Sequence, residues 1–328
     1  MTPDLADHEL TAFLADFNAR QLSSAADTGA AALRAAAAGR AAARAKGPEL
    51  TAVRDLRVPP DGRAARLYRP AGQAAALVLY LHGGGFVFGD LETHDRACRR
   101  LADRSRVPVL ALDYRRAPEH PWPAAVDDAV AALRWIASRP PELPLAPAAV
   151  AIAGDSAGGT IAALACVRLR DETPDMLPRV QLLIYANTDL GNSGASMREK
   201  GHGFGLDVAD IEWFNRQWVP EPAMLTDPRV SPLFVPDLAG LPATVVVTCE
   251  HDPLCDQGEA YAGRLLEAGV PTTVRREPGM VHNFMLWDTI SPACAAAADR
   301  IADDLAASLR QQDSPVTVVA SSQPPHQP

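Results

Sequence analysis

From about residue 76 onward the hydrophobic positions fall into short unbroken runs, at 76–81, 107–112, 149–153, 180–184 and 243–248, with a weaker one at 272–276. Most are separated by stretches with helical spacing, such as Val126, Val130, Leu133 and Ala137 after Pro123. A strand with one wet face alternates apolar and polar residues, whereas a strand covered on both faces is apolar throughout. Unbroken runs alternating with helices therefore predict a parallel sheet with helices on both sides. Upstream, residues 51–57 and 63–69, joined through Pro-Pro-Asp-Gly, predict an antiparallel pair.

Other segments carry weaker patterns. Leu10, Phe13, Leu14 and Phe17 have the spacing of a short amphipathic helix. Residues 28–46, almost all Ala and Arg around Leu33, are helix-prone but have little to bury. Such a pair makes no core of its own and is expected to lie over something larger. An insertion between the runs at 180 and 243 holds one helix, with Val208, Ile211, Phe214 and Trp218 on one face before Pro220. Asp256 with Glu259 has capping-box spacing for a helix stopping at Gly269, and Ser291-Pro292 opens a last helix through Ile301 and Leu305. After about Gln311 nothing in the pattern asks to be buried, which predicts a disordered tail.

Length and charge narrow the function. The 328 residues allow one large domain or two smaller ones. A net charge of −9, with no basic stripe to meet phosphates, excludes nucleic acid as the expected partner. The five scattered cysteines contain no Cys-x-x-Cys and read as free thiols in a reducing compartment. The N-terminus is acidic where a signal peptide is basic, and no apolar run approaches the roughly 20 residues of a membrane span. A cytoplasmic protein without membrane contact is expected.

The chemistry concentrates at the ends of the runs. Gly154-Asp155-Ser156-Ala157-Gly158-Gly159 follows the run ending at Ala153 and precedes the helical stretch 160–170. This is Gly-x-Ser-x-Gly in its strand–turn–helix context, where small residues let strand and helix pass closely and expose the serine. His82-Gly83-Gly84-Gly85-Phe86 follows the run 76–81, and its glycines expose backbone N–H groups of the kind that stabilise an oxyanion. A serine nucleophile needs a base, and the base a carboxylate. In chain order the candidates are Asp252 and His282, each just after a run, where open α/β sheets place their ligands. Asp256 and Glu250 are rival acids, and His251 is a rival base. No His-Glu-x-x-His spacing exists, so no metal is expected.

With these motifs in place, the chain resembles the hormone-sensitive-lipase family of α/β-hydrolases, the bacterial type IV esterases. Besides the serine and glycine motifs, the resemblance rests on Gly89-Asp90, Asp113-Tyr114-Arg115, Ala117-Pro118-Glu119-His120-Pro121, Ser231-Pro232-Leu233, Asp252-Pro253-Leu254 and His282, in order over about residues 50–310. It implies an α/β-hydrolase fold, with a mostly parallel eight-stranded sheet, helices on both faces and a helical cap. The implied layout is cap helices in 1–50, a catalytic domain in 51–310 with a cap insertion near 190–230, and a tail in 311–328. By resemblance Ser156 is the nucleophile, His282 the base and Asp252 the acid, and the N–H groups of Gly84, Gly85 and Ala157 form the oxyanion hole. Two positions depart from the family habit: Asn283 stands where Gly usually follows the catalytic histidine, and Ala186 where Pro usually follows the strand-end Tyr185.

The expected reaction is hydrolysis of short- to medium-chain esters through an acyl-enzyme, with no cofactor. Phe86, Phe88, Phe204, Trp213 and Phe214 are the aromatic candidates for the acyl pocket, and each is equally readable as ordinary packing. The same scaffold occurs as a natural-product dehydratase or cyclase and as a non-catalytic ligand receptor; the presence of His282 counts against the receptor. An exposed last strand near 272–276 would permit a homodimer.

Overall fold

The apolar runs become strands, and their burial shows why they are apolar throughout. The computed structural model describes residues 5, 7–20, 24–72 and 75–313. Among these, β1 (Ala52–Val58), β2 (Arg63–Arg69), β3 (Ala76–Leu81), β4 (Val109–Leu112), β5 (Ala149–Asp155), β6 (Val180–Ile184), β7 (Ala243–His251) and β8 (Thr272–Val281) form one eight-stranded sheet. Its order is β1-β2-β4-β3-β5-β6-β7-β8. β2 pairs antiparallel with both β1 and β4, and every other pairing is parallel. The helices are α1 (His8–Arg20), α2 (Ala25–Ala43), α3 (Asp95–Ser105), α4 (Ala124–Ala137), α5 (Ala157–Glu172), α6 (Ala195–Glu199), α7 (Val208–Trp218), α8 (Cys255–Glu267) and α9 (Pro292–Asp313).

Alternate residues of each central strand face opposite sides. Leu77, Leu79, Leu81, Ile152, Leu183 and Val246 pack under α4, α5 and α8. Val78, Tyr80, Ala151, Ala153, Leu182, Val245 and Val247 pack under α3 and α9, where Leu10 and Leu14 of α1 join them. Both sets are buried, so neither face of a central strand tolerates a polar residue without a partner.

The start of α9 follows local chemistry, and the start of α8 does not. The Ser291 hydroxyl accepts from the N–H groups of Ala293 (3.0 Å) and Cys294 (3.4 Å) and caps α9, with Pro292 in its first turn. That helix runs to Asp313, so residues 311–313 are helical and not part of a tail; the rest of the expected tail lies outside the described residues. The expected capping box of Asp256 and Glu259 does not form. α8 starts two residues earlier, with Leu254 at its N-cap, Asp256 accepts from Ser196 N–H (2.8 Å), and Glu259 pairs with Arg276 (2.6 Å), because these longer-range partners compete for the same carboxylates. α2 buries only Ala25 and Ala37 and is held instead by Arg34, which donates to the carbonyls of Val87 and Ala117 (both 2.8 Å) and to Glu119.

Strand order places the site. From β3 the chain moves outward to β4, then returns past β3 to β5 and continues to the other edge. The β3/β5 boundary is thus a topological switch point, where loops leave in opposite directions and open a crevice at the carboxyl ends. The turn after β5 enters α5 directly beneath the end of β3. A Cβ on Gly158 would sit 2.6 Å from the Leu81 carbonyl carbon, closer than any side chain tolerates. Gly158→Ala is therefore expected to destabilise the fold by about 1–3 kcal/mol through overpacking against backbone, read as a lower urea midpoint with an unchanged m-value.

Candidate active site

Ser156 lies between β5 and α5 at φ 52° and ψ −122°, a conformation that costs a residue with a Cβ energy and lifts its side chain out of the turn. Its N–H is taken by the Ile184 carbonyl at 2.8 Å, which anchors the strained turn to β6. His282 follows β8 directly and brings Nε2 to 2.9 Å from Ser156 Oγ, while its Nδ1 lies 2.7 Å from Asp252 Oδ2. A carboxylate only accepts, so Nδ1 carries the proton and Nε2 is left as the acceptor for the serine hydroxyl. The second Asp252 oxygen accepts from Leu254 N–H at 2.8 Å, which fixes the carboxylate's orientation. Asp252 and His282 are both buried.

The rival residues are held elsewhere. Asp256 is bound to Ser196, Glu250 accepts from Gly279 N–H (2.7 Å), and the His251 ring stacks on Phe204 at 5.5 Å. Local sequence could not rank these acids, because each lies within a few residues of the end of the same strand.

The glycine loop faces the serine across the crevice. Gly84 (φ 120°) and Gly85 (φ 57°) occupy left-handed conformations, and a Cβ on Gly85 would run into the Phe214 ring. The N–H groups of Gly84, Gly85 and Ala157 donate to no protein acceptor among the described residues, and all three residues line one pocket with Ser156 and His282. Ala157 also opens α5, whose N-terminus adds partial positive charge there.

Beneath the loop lies a buried polar base. Asp155 accepts from Tyr80 O–H (2.7 Å) and Gly83 N–H (2.9 Å), and its other oxygen lies 3.3 Å from His94 Nε2. Burial alone would raise its pKa, but His94 and the hydrogen bonds outweigh that and hold the carboxyl below its ordinary value. Burial pushes His82 down to about 3, so its imidazole is neutral where it stacks on Tyr114 at 4.2 Å. Asp155 thereby ties the start of the glycine loop to the turn that carries Ser156.

The pocket is small, about 50 Å³, and Phe86, Phe88 and Phe214 contribute to its walls. Phe204 is not among its walls, being turned onto His251. Leu206, Ile211, Asn187 and Asn215 also line it and had no motif to announce them, although Ile211 shares the apolar face of α7 with Phe214; Leu254, from Asp252-Pro253-Leu254, lines it as well. A larger groove of about 470 Å³ between α4, α5 and residues 228–237 holds none of these reactive groups.

Four residues with side chains adopt positive φ at strand ends around the pocket: Phe86 (64°), Ser156 (52°), Tyr185 (37°) and Asn283 (67°). The value at Asn283 accounts for the first departure from family habit. The position demands a left-handed backbone, which glycine adopts freely and asparagine better than most. Ala186 meets α5, for a Cβ on Gly159 would lie 2.6 Å from its own. Among the described residues no cluster of His, Cys, Asp or Glu could hold a metal ion, and no helix is long and apolar enough to cross a membrane.

A strand-end serine, a strand-end histidine and a buried aspartate on a mostly parallel sheet define an α/β-hydrolase, and a profile of an α/β-hydrolase-fold family matches residues 78–286. The chain belongs to that family, in its hormone-sensitive-lipase-like branch, and is a hydrolase. It is 39% identical over 272 residues to the carboxylic ester hydrolase LipN of Mycobacterium tuberculosis, covering 80% of this chain and 72% of LipN. It is 39% identical over 229 residues to an ethyl acetate hydrolase of Pseudomonas putida, covering 69% and 72%. The crystal structure of EstE1, a thermophilic carboxylesterase from a metagenomic library, superposes with a TM-score of 0.80 at 39% identity, covering 86% of this chain and 98% of EstE1.

The depressed Asp155 carboxyl has a consequence for stability. Because its folded pKa lies below the ordinary value of 3.8, its contribution is complete above that value and is lost as pH falls below it. Urea midpoints measured from pH 6 down to pH 3 are expected to decline for the wild type, and Asp155→Asn is expected to flatten part of that decline.

Proposed function

We propose that this protein is a serine carboxylesterase that hydrolyses short- to medium-chain esters through an acyl-enzyme. The observation that carries the reading is the continuous hydrogen-bonded line from Ser156 Oγ through His282 to Asp252. Ser156 Oγ attacks the ester carbonyl as His282 Nε2 takes its proton. The oxygen that becomes negative is met by the N–H groups of Gly84, Gly85 and Ala157, which have no competing acceptor among the described residues. The tetrahedral species collapses to the acyl-enzyme, and the imidazolium gives its proton to the departing alcohol. Water then attacks the acyl carbonyl, losing a proton to His282, and the acid leaves as Ser156 recovers its hydrogen. Asp252 holds the ring and stabilises its charge in both halves.

The small pocket and its aromatic walls support short acyl chains over long ones. The cap in this reading consists of the helices in residues 1–50 together with the insertion near 190–230, the latter contributing Leu206, Ile211 and Phe214 to the pocket. Five unpaired, buried cysteines support a reducing, cytoplasmic setting.

Ser156→Ala is expected to lower kcat on para-nitrophenyl acetate and butyrate by at least about a thousandfold, and to abolish labelling by a fluorophosphonate that otherwise maps to Ser156 by peptide mass. A Ser156→Ala protein with undiminished turnover would overturn the acyl-enzyme. Asp252→Asn, which presents the wrong tautomer of His282 to the serine, is expected to cost about 10⁴ in kcat. Removing that carboxylate should leave para-nitrophenyl butyrate KM nearly unchanged in the same assay.

A further inference from the structure

The pocket wall contains a polar group that ester hydrolysis does not use. Asn187, 5% exposed, follows β6, and its backbone carbonyl accepts from Thr160 Oγ1 at 2.6 Å in the first turn of α5. It lines the same pocket as Ser156 and Gly84. Its carboxamide orientation is set by its neighbours. The Leu190 carbonyl can only accept, so Asn215 must present Nδ2 to it, at 3.0 Å. That leaves Asn215 Oδ1 facing Asn187, which must answer with its own Nδ2, also at 3.0 Å. Asn187 Oδ1 is what remains. It is buried, and among the described residues it has no hydrogen-bond partner.

An acceptor stripped of water and left unpaired is costly, and a polar wall atom of this kind discriminates strongly between ligands that do and do not pair with it. Phe214 lines this pocket of about 50 Å³ together with Asn187 and Ser156.

We propose that Asn187 Oδ1 is a specificity determinant, and that the preferred substrates are esters whose acid part carries a hydroxyl or amide N–H close to the carbonyl. This rests on the esterase reading above and adds the substrate class to it. The donor belongs near the carbonyl because Asn187 is tethered to the first turn of the helix that Ser156 begins.

The test compares kcat/KM by pH-stat for methyl butanoate, methyl 2- and 3-hydroxybutanoate, and the corresponding methoxy esters, each divided by its hydroxide-catalysed rate. The methoxy esters carry the same oxygen without the donor. At least one hydroxy ester is expected to exceed its methoxy counterpart and methyl butanoate by about tenfold or more, with the ratio falling towards one in Asn187→Leu. Hydrolysis of methyl butanoate without any hydroxyl preference in the wild type overturns the assignment and leaves the esterase standing; this is the result if an ordered water satisfies Asn187. The wild-type ratio needs no variant, so it decides even if Asn187→Leu does not fold. An unchanged preference in a folded Asn187→Leu protein also overturns it. Failure to hydrolyse any ester or to take up the fluorophosphonate overturns the esterase reading and this assignment together.

Discussion

The contact on which the site depends is the crossing of α5 beneath the end of β3, where backbone meets backbone. Gly158 rests against the Leu81 carbonyl, and a Cβ on Gly154 would reach the Gly158 backbone. No pair of side-chain-bearing residues could approach so closely. The approach is what brings the serine turn within reach of the glycine loop, since Leu81 ends the strand from which that loop departs. Asp155 then locks the two together through Gly83 N–H and Tyr80 O–H. Ser156 and the N–H groups of the glycine loop are thus preorganised by one packing constraint and one buried carboxylate, and the strain at Ser156 is carried by the strands around it.

Around this centre the molecule uses two kinds of cohesion. The sheet faces are held by apolar contact, with Leu, Val and Ile alternating between the two helical layers. The elements around the pocket add polar ties to the buried apolar contacts of Leu10, Leu14, Ile211, Phe214 and Trp218: Arg34 of α2 to the loop carbonyls of Val87 and Ala117, Asp210 of α7 to Ala25 N–H at 2.7 Å, and Asn215 to Leu190 and Asn187. Phe86, stacked on Trp218 at 4.0 Å, is where the two regimes meet, linking the glycine loop to α7.

Much of this was legible along the chain. Unbroken apolar runs at β3, β5, β6 and β7 announced a sheet covered on both faces, because only burial on both sides removes the need for alternation. Ser156 and the glycines at 84 and 85 were legible because close backbone approach and positive φ leave few residue types to choose from. Asp252 and His282 were legible by their place after strands, but choosing Asp252 over Asp256 and Glu250 needed the family resemblance. The capping box at Asp256 and Glu259 misled, since Ser196 and Arg276 claim those carboxylates from distant segments. Phe204 misled because an aromatic residue carries no mark of the side to which it turns.

Local pattern thus determined which residue types sit at strand ends and which backbones are strained, for those are set by sterics within a few bonds. Only the folded molecule decided that β4 lies outside β3, that Asp252 reaches His282, and that Asn187 donates its amide to Asn215. Those outcomes depend on which distant segments pack side by side, and a partner 28 or 30 residues away leaves no trace in the hydrophobic period of either segment.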